Sequence, residues 1–318
     1  MTTEIIAPEY GDISMLTIRQ RELPVPGPHQ VLVRVRAVGV NPTDYKSVDR
    51  SWPRTAPMVV GFEAAGVVAA LGAGVAAAGT LAVGDDVIVY PILGAYASAV
   101  LADGDDVIAK PSGLSFPSAA NLLLVATTAA EMLYASRVRG GETVLVHGAS
   151  GATGVSLLQQ AADLGVRIVA TASERNMDLL RSLGADPVTY GPGLEQRVRA
   201  AAPDGIDAAL DCVGTDEAME VSLAVVADRG RIVSIANHDP DRARELGTRF
   251  LDGRDPESLA YRNAQRPRLV HMAAEGALEV PMARTLPLTV PGVQEAFAAL
   301  RSGHPGGKLA LIPELPEQ

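Results

Sequence analysis

The hydrophobic pattern of the chain changes near residue 118. Before that point apolar positions come in short runs, and residues 30–40 alternate so that Arg34 and Arg36 face away from the valines. Such alternation predicts half-buried strands. Glycines and prolines separate the runs, which favours a compact β-barrel-like domain. Further strands are predicted at residues 13–19, 64–70, 86–90, 95–101 and 106–110.

Beyond residue 118 the apolar runs alternate between strand length and helical spacing. Residues 119–133 are apolar and rich in alanine, which indicates a helix. The alternation that follows predicts a parallel, doubly wound sheet, so the fold class is α/β. The predicted strands are residues 144–146, 166–170, 208–213 and 231–235, and the predicted helices are the segment from residue 155, residues 178–183 and residues 216–227.

The last part of the chain returns to a mixed pattern. Residues 238–257 are polar and predict a loop with a short edge strand at 248–251. The final strands have no helical crossover pattern of their own, so we expect them to return to the first domain. We predict one domain from residues 1–118 and 255–318, and a second from residues 119–254. The elements predicted after the loop are helices at 257–275 and 291–302 and strands at 283–287 and 308–312.

Length and charge narrow the class of protein. The chain has 318 residues, enough for two domains that each bury a core. Its net charge of −10 lacks the basic footprint of a nucleic-acid-binding protein and disfavours an anionic membrane surface. No apolar run approaches the length of a membrane span, and the N-terminus has no basic region followed by an apolar core. We therefore expect a cytoplasmic protein with neither nucleic acid nor membrane as partner.

Residues 144–154, VLVHGASGATG, join an apolar strand to a helix through a glycine-rich turn. In that context a glycine fingerprint predicts dinucleotide binding, because backbone N–H groups and the helix dipole can hold a pyrophosphate. The alternative is a glycine-rich turn that binds no ligand. The residues predicted to cradle the cofactor are Ser150, Gly151, Ala152, Thr153 and Gly154.

Several separated motifs together carry a family resemblance. They include GVNPTDYK (39–46), GFEAAGVV (61–68), ATTAAEML (126–133), ALDCVG (209–214) and PGGKLALI (305–312). The chain resembles the medium-chain dehydrogenase/reductase superfamily, and within it the zinc-free quinone oxidoreductase group, also called zeta-crystallin-like. The resemblance implies a GroES-like β-barrel substrate domain, built from both chain ends, and a Rossmann cofactor domain.

The positions that carry zinc ligands in the metal-dependent members are different here. Where those members have an early cysteine, this chain has Asn41, and their Gly-His-Glu reads Gly61-Phe62-Glu63. The single cysteine and the five histidines show no ligand-like spacing. We therefore predict no metal. Without a Lewis acid, alcohol oxidation is disfavoured, and hydride donation to a quinone or an α,β-unsaturated carbonyl is favoured.

The end of the second strand of the cofactor domain predicts which dinucleotide binds. An NAD site usually has an acidic residue there, about 20 residues past the glycine turn. This chain has Ser173, followed by Arg175, which can pair with a 2′-phosphate. By resemblance, Tyr190 lines the adenosine phosphate of NADPH. Glu174 and Met177 depart from the family pattern, and a solvated Arg175 is the alternative, but we predict NADPH.

Three residues of one loop are predicted to face the nicotinamide by resemblance: Asn41, Asp44 and Tyr45. Asn41 would orient the substrate carbonyl and Tyr45 would donate a proton. The alternatives are a turn residue for Asn41, a helix N-cap for Asp44 and core packing for Tyr45. Trp52 and the polar segment 238–254 are also expected to line the acceptor pocket.

Other cofactor contacts follow from the resemblance alone. Lys308 contacts the cofactor or, as an alternative, closes the barrel. We predict an NADPH-dependent, zinc-independent reductase of quinones or enones that forms a homodimer. The alternatives are an enoyl-thioester or alkenal reductase and a nucleotide-binding protein without turnover. The further predicted cofactor contacts are Thr128, Val213, Gly214, Ile235 and Ala236.

Overall fold

The structure, a computed structural model, describes residues 1–49, 56–236, 239–253, 255–303 and 306–314. The chain divides into two compact units. We call residues 1–124 and 280–318 the terminal unit, and residues 125–279 the central unit. The predictions for Trp52, His238 and Arg254 lie outside the described residues.

The terminal unit is built around one long antiparallel strand. This strand, β3 (Gln30–Val40), pairs with three other strands. One of the three is the final strand of the chain, in which Leu309 lies opposite Val40 at the end of β3. The chain ends therefore meet in one sheet, as the tail pattern predicted. Numbered along the chain, the strands of this unit are β1 Thr2–Ala7, β2 Thr17–Arg21, β3, β4 Met58–Val59, β5 Ala64–Leu71, β6 Asp86–Val89, β7 Ala99–Asp103, β8 Val107–Ala109, β15 Met282–Pro287 and β16 Lys308–Ile312, and its helices are α1 Pro42–Val48, α2 Ala73–Ala78, α3 Phe116–Ala119 and α11 Val290–Arg301.

Two sheets result from this pairing. The larger one has the order β15-β16-β3-β5-β6-β8, with β7 also paired to β3, and a smaller one has the order β2-β1-β4. Alternate residues of β3, Val31, Val33 and Val35, are fully buried, while Arg34 is exposed. The predicted alternation of this strand is confirmed, because one face of the sheet covers the core of the unit.

Gly39, near the end of β3, permits a close backbone approach. A Cβ atom at this position would lie 2.2 Å from the carbonyl oxygen of Ala120 and 2.6 Å from Oε1 of Glu63. No side chain fits at that distance. The segment that follows α3 is therefore held directly against the strand that carries the unit.

The central unit contains a six-stranded, all-parallel sheet in the order β11-β10-β9-β12-β13-β14. Counted from β9, this is the order 3-2-1-4-5-6 of a doubly wound dinucleotide-binding fold. The predicted α/β class is confirmed. The strands are β9 Thr143–His147, β10 Arg167–Ala172, β11 Asp186–Thr189, β12 Ala208–Asp211, β13 Ile232–Ser234 and β14 Arg249–Phe250, and the helices are α4 Leu123–Ala135, α5 Ala152–Asp163, α6 Met177–Ser182, α7 Leu194–Ala201, α8 Asp216–Val225, α9 Pro240–Leu246 and α10 Pro256–Ala274.

The boundaries between the units differ from the predicted ones. The first lies after residue 124 rather than 118, and the second after residue 279 rather than 254. The second difference arises from α10, which ion pairs tie to the central unit. Arg262 pairs with Glu131 of α4, and Arg268 pairs with Asp163 of α5. Helical periodicity identified this helix, but it does not tell against which sheet a helix packs.

Two further segments correct the sequence-based prediction. Residues 240–246, expected in a loop, form α9, which begins after Asp239 and ends at Gly247 in the left-handed conformation. The Asp239 side chain accepts a hydrogen bond from the N–H of Arg242, and it is this cap that starts the helix. The segment of residues 116–135 is long enough and apolar enough to cross a membrane, by length and composition alone. However, 72% of the 18-residue apolar window within it is buried inside the protein.

Candidate functional site

The glycine turn after β9 holds the start of α5 against the strand end. Gly148 has φ +70°, and a Cβ atom there would lie 2.4 Å from Cγ2 of Val213. A Cβ atom at Gly154 would lie 2.5 Å from the carbonyl oxygen of Ala149. Both positions therefore need glycine, the first for its left-handed backbone and the second for the close packing of helix on turn.

The N-terminus of α5 has the features of a phosphate-binding site. Gly151 is the N-cap of this 12-residue helix and provides no side-chain cap. The N–H groups of Ala152, Thr153 and Gly154 have no acceptor within the helix, because the first turn lacks preceding carbonyls. These donors and the positive end of the helix dipole suit an anion. The residues predicted for the cofactor phosphates thus fit a dinucleotide.

At the next strand pair, Asp211 organises the carboxyl edge of the sheet. Its Oδ1 accepts hydrogen bonds from the N–H groups of Val213 at 2.8 Å and Gly214 at 2.9 Å, and its Oδ2 accepts one from the Ser234 hydroxyl at 2.8 Å. The Ile235 N–H donates to the Asp211 carbonyl at 3.1 Å. One buried carboxylate thereby joins the ends of β12 and β13.

The four cofactor contacts predicted at this edge are therefore neighbours, since the N–H of Ala236 also donates to the Ser234 hydroxyl at 3.3 Å. Sequence reasoning missed Asp211 as the residue that positions them. A signal was present, because a carboxylate inside an apolar strand has to be paired to be buried.

The ends of β9, β10 and β11 bring the predicted 2′-phosphate residues to one edge. The Tyr190 N–H donates to the Ala172 carbonyl at 3.4 Å, so Tyr190 follows directly beside the end of β10. Ser173 lies half-buried, and Arg175 is exposed and forms no hydrogen bond or ion pair within the described residues. Met177, which departs from the family pattern, is buried.

Asn176 is a second residue of this edge that sequence reasoning missed. Its Nδ2 donates to the Ser150 hydroxyl at 2.9 Å and to the Ser173 hydroxyl at 3.3 Å. The amide therefore connects the turn after β9 with the end of β10. Both hydroxyls belong to residues that were predicted to bind the cofactor.

Thr128 of α4 is held by α10. The Arg262 Nη2 donates to the hydroxyls of Thr128 at 3.2 Å and Thr127 at 3.3 Å, and its Nη1 lies 3.1 Å from Oε2 of the buried Glu131. The Ser258 hydroxyl donates to the other oxygen of Glu131. The predicted contact of Thr128 with the cofactor stays a prediction.

His147, directly before the turn, is buried between two hydroxyls. Its Nδ1 lies 3.2 Å from the Thr171 hydroxyl and its Nε2 3.2 Å from the Ser222 hydroxyl. Burial lowers the pKa of this imidazole to about 4, although nearby Asp211 and Glu217 oppose the shift. A neutral ring with both nitrogens bonded packs β9 against α8 and is a structural group.

In the terminal unit, Asn41 and Lys308 belong to one buried polar cluster. The Lys308 Nζ donates to the Val40 carbonyl at 2.9 Å and to Oδ1 of Asn41, and it lies 3.7 Å from Oε1 of Glu63. The Asn41 Nδ2 donates to the same Glu63 oxygen at 2.8 Å. The other oxygen of Glu63 accepts the N–H of Leu124 at 2.9 Å. The cluster connects β16, β3 and α1.

These contacts favour the alternative roles of both residues. The ammonium of Lys308 is buried and bonded to neighbours of its own unit, which favours barrel closure, and its contact with the cofactor stays a prediction. The Asn41 amide is occupied on both sides and 1% exposed, which suits a structural residue. Burial raises the pKa of Glu63 and lowers that of Lys308, and the attraction between the two charges opposes both shifts.

Asp44 caps α1 from inside the same region. Its Oδ2 accepts the Asn41 N–H at 2.7 Å and the Tyr96 hydroxyl at 2.9 Å, while its buried Oδ1 has no partner within the described residues. Burial raises the pKa of Asp44 to about 7, although the hydrogen bonds from Asn41 and Tyr96 and the charge of Lys308 lower it. The N-cap of α1 is Asn41, so Asp44 is not the N-cap as the alternative had it but the third helical residue, which completes a capping box. The predicted catalytic carboxylate is fully buried, and its contact with substrate stays a prediction.

Asp44 makes the stability of the protein depend on pH. Its ordinary pKa is 3.8 and its folded pKa is about 7, so the folded state holds the proton more tightly. The stabilisation is complete below the ordinary value and is lost as pH rises through the folded one. Between pH 4 and 7 this group should lower the free energy of unfolding by up to about 1.4 kcal/mol per pH unit.

Urea unfolding at a series of pH values checks this expectation. Asp44→Asn retains an oxygen that accepts from Asn41 and Tyr96 but has no proton to lose, so its unfolding free energy should vary less steeply over this range. Asp178→Asn, which changes an exposed carboxylate, is the control. Parallel profiles for wild type and Asp44→Asn would contradict the assignment.

Tyr45 lies on α1 against the core. Its ring meets the ring of Phe297 edge-on with centroids 6.0 Å apart, and the Arg301 guanidinium lies 5.1 Å from the Tyr45 centroid. Burial raises the pKa of its hydroxyl. This environment agrees with the packing alternative. Proton donation by Tyr45 stays a prediction.

Comparison with known proteins agrees with both units. The family model described as "Alcohol dehydrogenase GroES-like domain" matches residues 27–139, and the one described as "Zinc-binding dehydrogenase" matches residues 183–311. A trans-enoyl reductase of Trichoderma harzianum is 34% identical over 254 residues, which cover 72% of this chain and 67% of the relative. A quinone oxidoreductase of Pseudomonas aeruginosa is 34% identical over 236 residues, 72% and 71% of the two chains.

The chain belongs to the medium-chain dehydrogenase/reductase superfamily, in its quinone-oxidoreductase-like group. Among solved structures, a mycobacterial quinone oxidoreductase is 30% identical with a TM-score of 0.78, covering 98% of this chain and 100% of the other. A mycobacterial protein complexed with NADPH is 29% identical with a TM-score of 0.81 and the same coverage. This medium-chain dehydrogenase/reductase is an oxidoreductase, and its GroES-like unit is the terminal one.

The superfamily match also extends into much longer proteins. A pikromycin polyketide synthase component of Streptomyces venezuelae is 34% identical over 307 residues, which cover 90% of this medium-chain dehydrogenase/reductase but 8% of the synthase. The chain thus corresponds to one small part of that protein. The activity of the whole synthase is therefore a property of the synthase and is not inferred for this chain.

Proposed function

We propose that this chain is a zinc-independent, NADPH-dependent reductase of quinones or α,β-unsaturated carbonyls. The observation that carries the cofactor part is the end of β10, where Ser173 stands at the position of the usual acidic residue and, after Glu174, an exposed Arg175 has no partner within the described residues. An acidic residue there would bind the ribose diol of NAD, whereas a guanidinium pairs with the 2′-phosphate of NADP. The related mycobacterial complex with NADPH supports the same cofactor.

The chain's own residues have defined tasks in this proposal. The uncapped N-terminus of α5 would hold the pyrophosphate, and Ser173, Arg175 and Tyr190 would surround the 2′-phosphate. Asp211 would keep the N–H groups of Val213 and Gly214 fixed where the chain passes the cofactor. When bound, NADPH supplies the hydride, and the protein supplies orientation.

Replacing Arg175 by alanine should weaken NADPH binding by about 10-fold, the value of one charge-assisted contact, and leave NADH binding nearly unchanged. Fluorescence titration of both cofactors measures this. Arg181→Ala is the matched control, because that arginine lies on the neighbouring helix and pairs with Asp178 at 2.7 Å. A similar loss of NADH affinity in Arg175→Ala would contradict a 2′-phosphate contact.

The acceptor has two candidate classes. The quinone oxidoreductase relatives support quinones or enones, and the trans-enoyl reductase relative supports a conjugated thioester or alkenal. A basic surface would favour the second class, because carriers and coenzymes are acidic. In the polar segment 238–254, two arginines that could contribute to such a surface are paired with carboxylates, Arg242 with Asp216 and Arg244 with Asp241. We therefore place quinones and enones first.

A steady-state screen that follows NADPH absorbance tests this choice. Quinones, enones and enoyl thioesters are compared at equal concentration, with NADH in parallel. The proposal expects turnover with a quinone or enone and an NADPH preference. Faster reduction of enoyl thioesters than of any quinone selects the alternative. Tight NADPH binding without turnover across the panel would indicate a nucleotide-binding protein that is not an enzyme.

Zinc independence rests on the donor set of the terminal unit. Asn41 and Phe62 stand at the two ligand positions of the metal-dependent members, and neither side chain is a zinc ligand. Within the described ranges, no group of three or more His, Cys, Asp or Glu side chains could hold a metal ion. Activity should survive a chelator. A cytoplasmic location and a homodimer are further parts of the proposal, and sedimentation measures the second.

A further inference from the structure

Asn176 bridges two serine hydroxyls at the edge where the 2′-phosphate is proposed to bind. Its Nδ2 carries two hydrogens, and one is directed at each oxygen, at 2.9 Å from Ser150 and 3.3 Å from Ser173. Ser150 follows β9 and Ser173 follows β10, so the amide spans the gap between adjacent parallel strands. The bridge therefore joins the glycine turn to the end of β10, which Arg175 follows in the chain.

The direction of these hydrogen bonds decides what the serines can offer. Each hydroxyl accepts from Asn176 and therefore keeps its own hydrogen for another partner. Within the described part of the chain neither hydroxyl donates to any other group. Two O–H donors thus lie at this edge without an acceptor, and the exposed Arg175, two residues after Ser173, has no partner within the described residues. Such a set matches the oxygens of a dianionic phosphate monoester.

We propose that Asn176 is a specificity-determining residue that orients the hydroxyls of Ser150 and Ser173 as donors to the 2′-phosphate of NADPH. Asn176 acts through the two serines and is a positioning residue. An aspartate at this position would reverse the polarity, because a carboxylate accepts from both hydroxyls and leaves none to donate. It would also place a negative charge beside the phosphate. The inference rests on the proposed NADPH preference and deepens it.

Equilibrium titration of wild type, Asn176→Asp and Asn176→Ala with NADPH and with NADH tests the inference. Because two charge-assisted bonds are lost, Asn176→Asp should raise the Kd for NADPH by about 10- to 100-fold while the Kd for NADH changes by less than about 3-fold. Asn176→Ala should lie between wild type and Asn176→Asp. The readout is the Kd for NADH divided by the Kd for NADPH, which should fall in Asn176→Asp. General damage to the fold would raise both Kd values together and leave this ratio unchanged.

Ser182→Asp supplies the matched control. It adds the same charge at the last residue of α6, the helix that Asn176 precedes, but the Ser182 hydroxyl is exposed and donates to the Leu179 carbonyl. Its Kd ratio should equal that of wild type. An equal fall of the ratio in Ser182→Asp and Asn176→Asp would overturn the inference, because a distant charge would then suffice.

The outcomes separate this inference from the proposed function. A wild-type chain that binds both cofactors equally, or neither, overturns the NADPH proposal and the inference with it. A wild-type preference for NADPH that Asn176→Asp retains overturns the inference alone. If Asn176→Asp does not fold, Asn176→Ala decides by the same ratio: a fall supports the inference, and an unchanged ratio overturns it.

Discussion

Replacing Lys308 by methionine is expected to lower the free energy of unfolding by about 3–5 kcal/mol. Methionine keeps the length of the side chain and removes its charge. The buried Glu63 then loses its counter-ion, and the Val40 carbonyl and Asn41 Oδ1 lose their donor. Uptake of a proton by Glu63, whose pKa burial already raises, limits the loss.

Chemical denaturation followed by far-UV circular dichroism measures the effect of Lys308→Met. The double variant Lys308→Met/Glu63→Gln should recover part of the loss, because it no longer buries an unpaired charge. Lys46→Met, at a half-buried position on α1, is the control and should cost less than about 1 kcal/mol. A loss no larger for Lys308→Met than for Lys46→Met would show that the cluster does not depend on the ammonium.

Replacing Gly154 by alanine is expected to weaken NADPH binding by roughly 100-fold, since displacements of about 1 Å at a binding site have effects of that size. The added methyl group would lie 2.5 Å from the Ala149 carbonyl oxygen, and both atoms belong to tightly held backbone. Either the turn or the helix has to move. The N–H groups of α5 would then no longer point where the phosphates lie.

Fluorescence titration with NADPH, together with a thermal melt, measures the effect of Gly154→Ala. Gly113→Ala is the control, because a Cβ atom there meets no other atom within 4 Å. Its Kd should equal that of wild type. An unchanged Kd in Gly154→Ala would mean that the phosphates bind away from this turn.

The periodic elements of the fold were predictable because their burial is regular. The alternation at residues 30–40 corresponds to β3, and the strand-helix alternation after residue 140 corresponds to the parallel sheet. Elements with little periodicity were missed. The helix α1 is short and begins at Asn41-Pro42, and α9 depends on the Asp239 cap. A cap acts through a single hydrogen bond, so it leaves only a weak pattern in the chain.

The residues of the candidate site also fall into those that the sequence predicted and those that it missed. Ser150, Gly154 and Arg175 could be predicted as site residues from the sequence because the chemistry of their types is tied to a local strand-turn-helix context. Asp211, Asn176 and Arg262 were missed because each one acts on residues brought near by other strands or helices. Their partners are distant or offset in the chain, and no spacing rule connects them.

The sequence by itself determined the superfamily, the glycine turn and the absence of zinc ligands at Asn41 and Phe62. These properties depend on residue type at short range. Only the tertiary structure decided that Lys308 is buried beside Glu63, that Asp44 is buried with a raised pKa, and that α10 belongs to the central unit. Burial and charge pairing depend on what the rest of the chain places around a group. The same residue type is therefore charged and solvated at the surface, but needs a partner or a shifted pKa when it is buried.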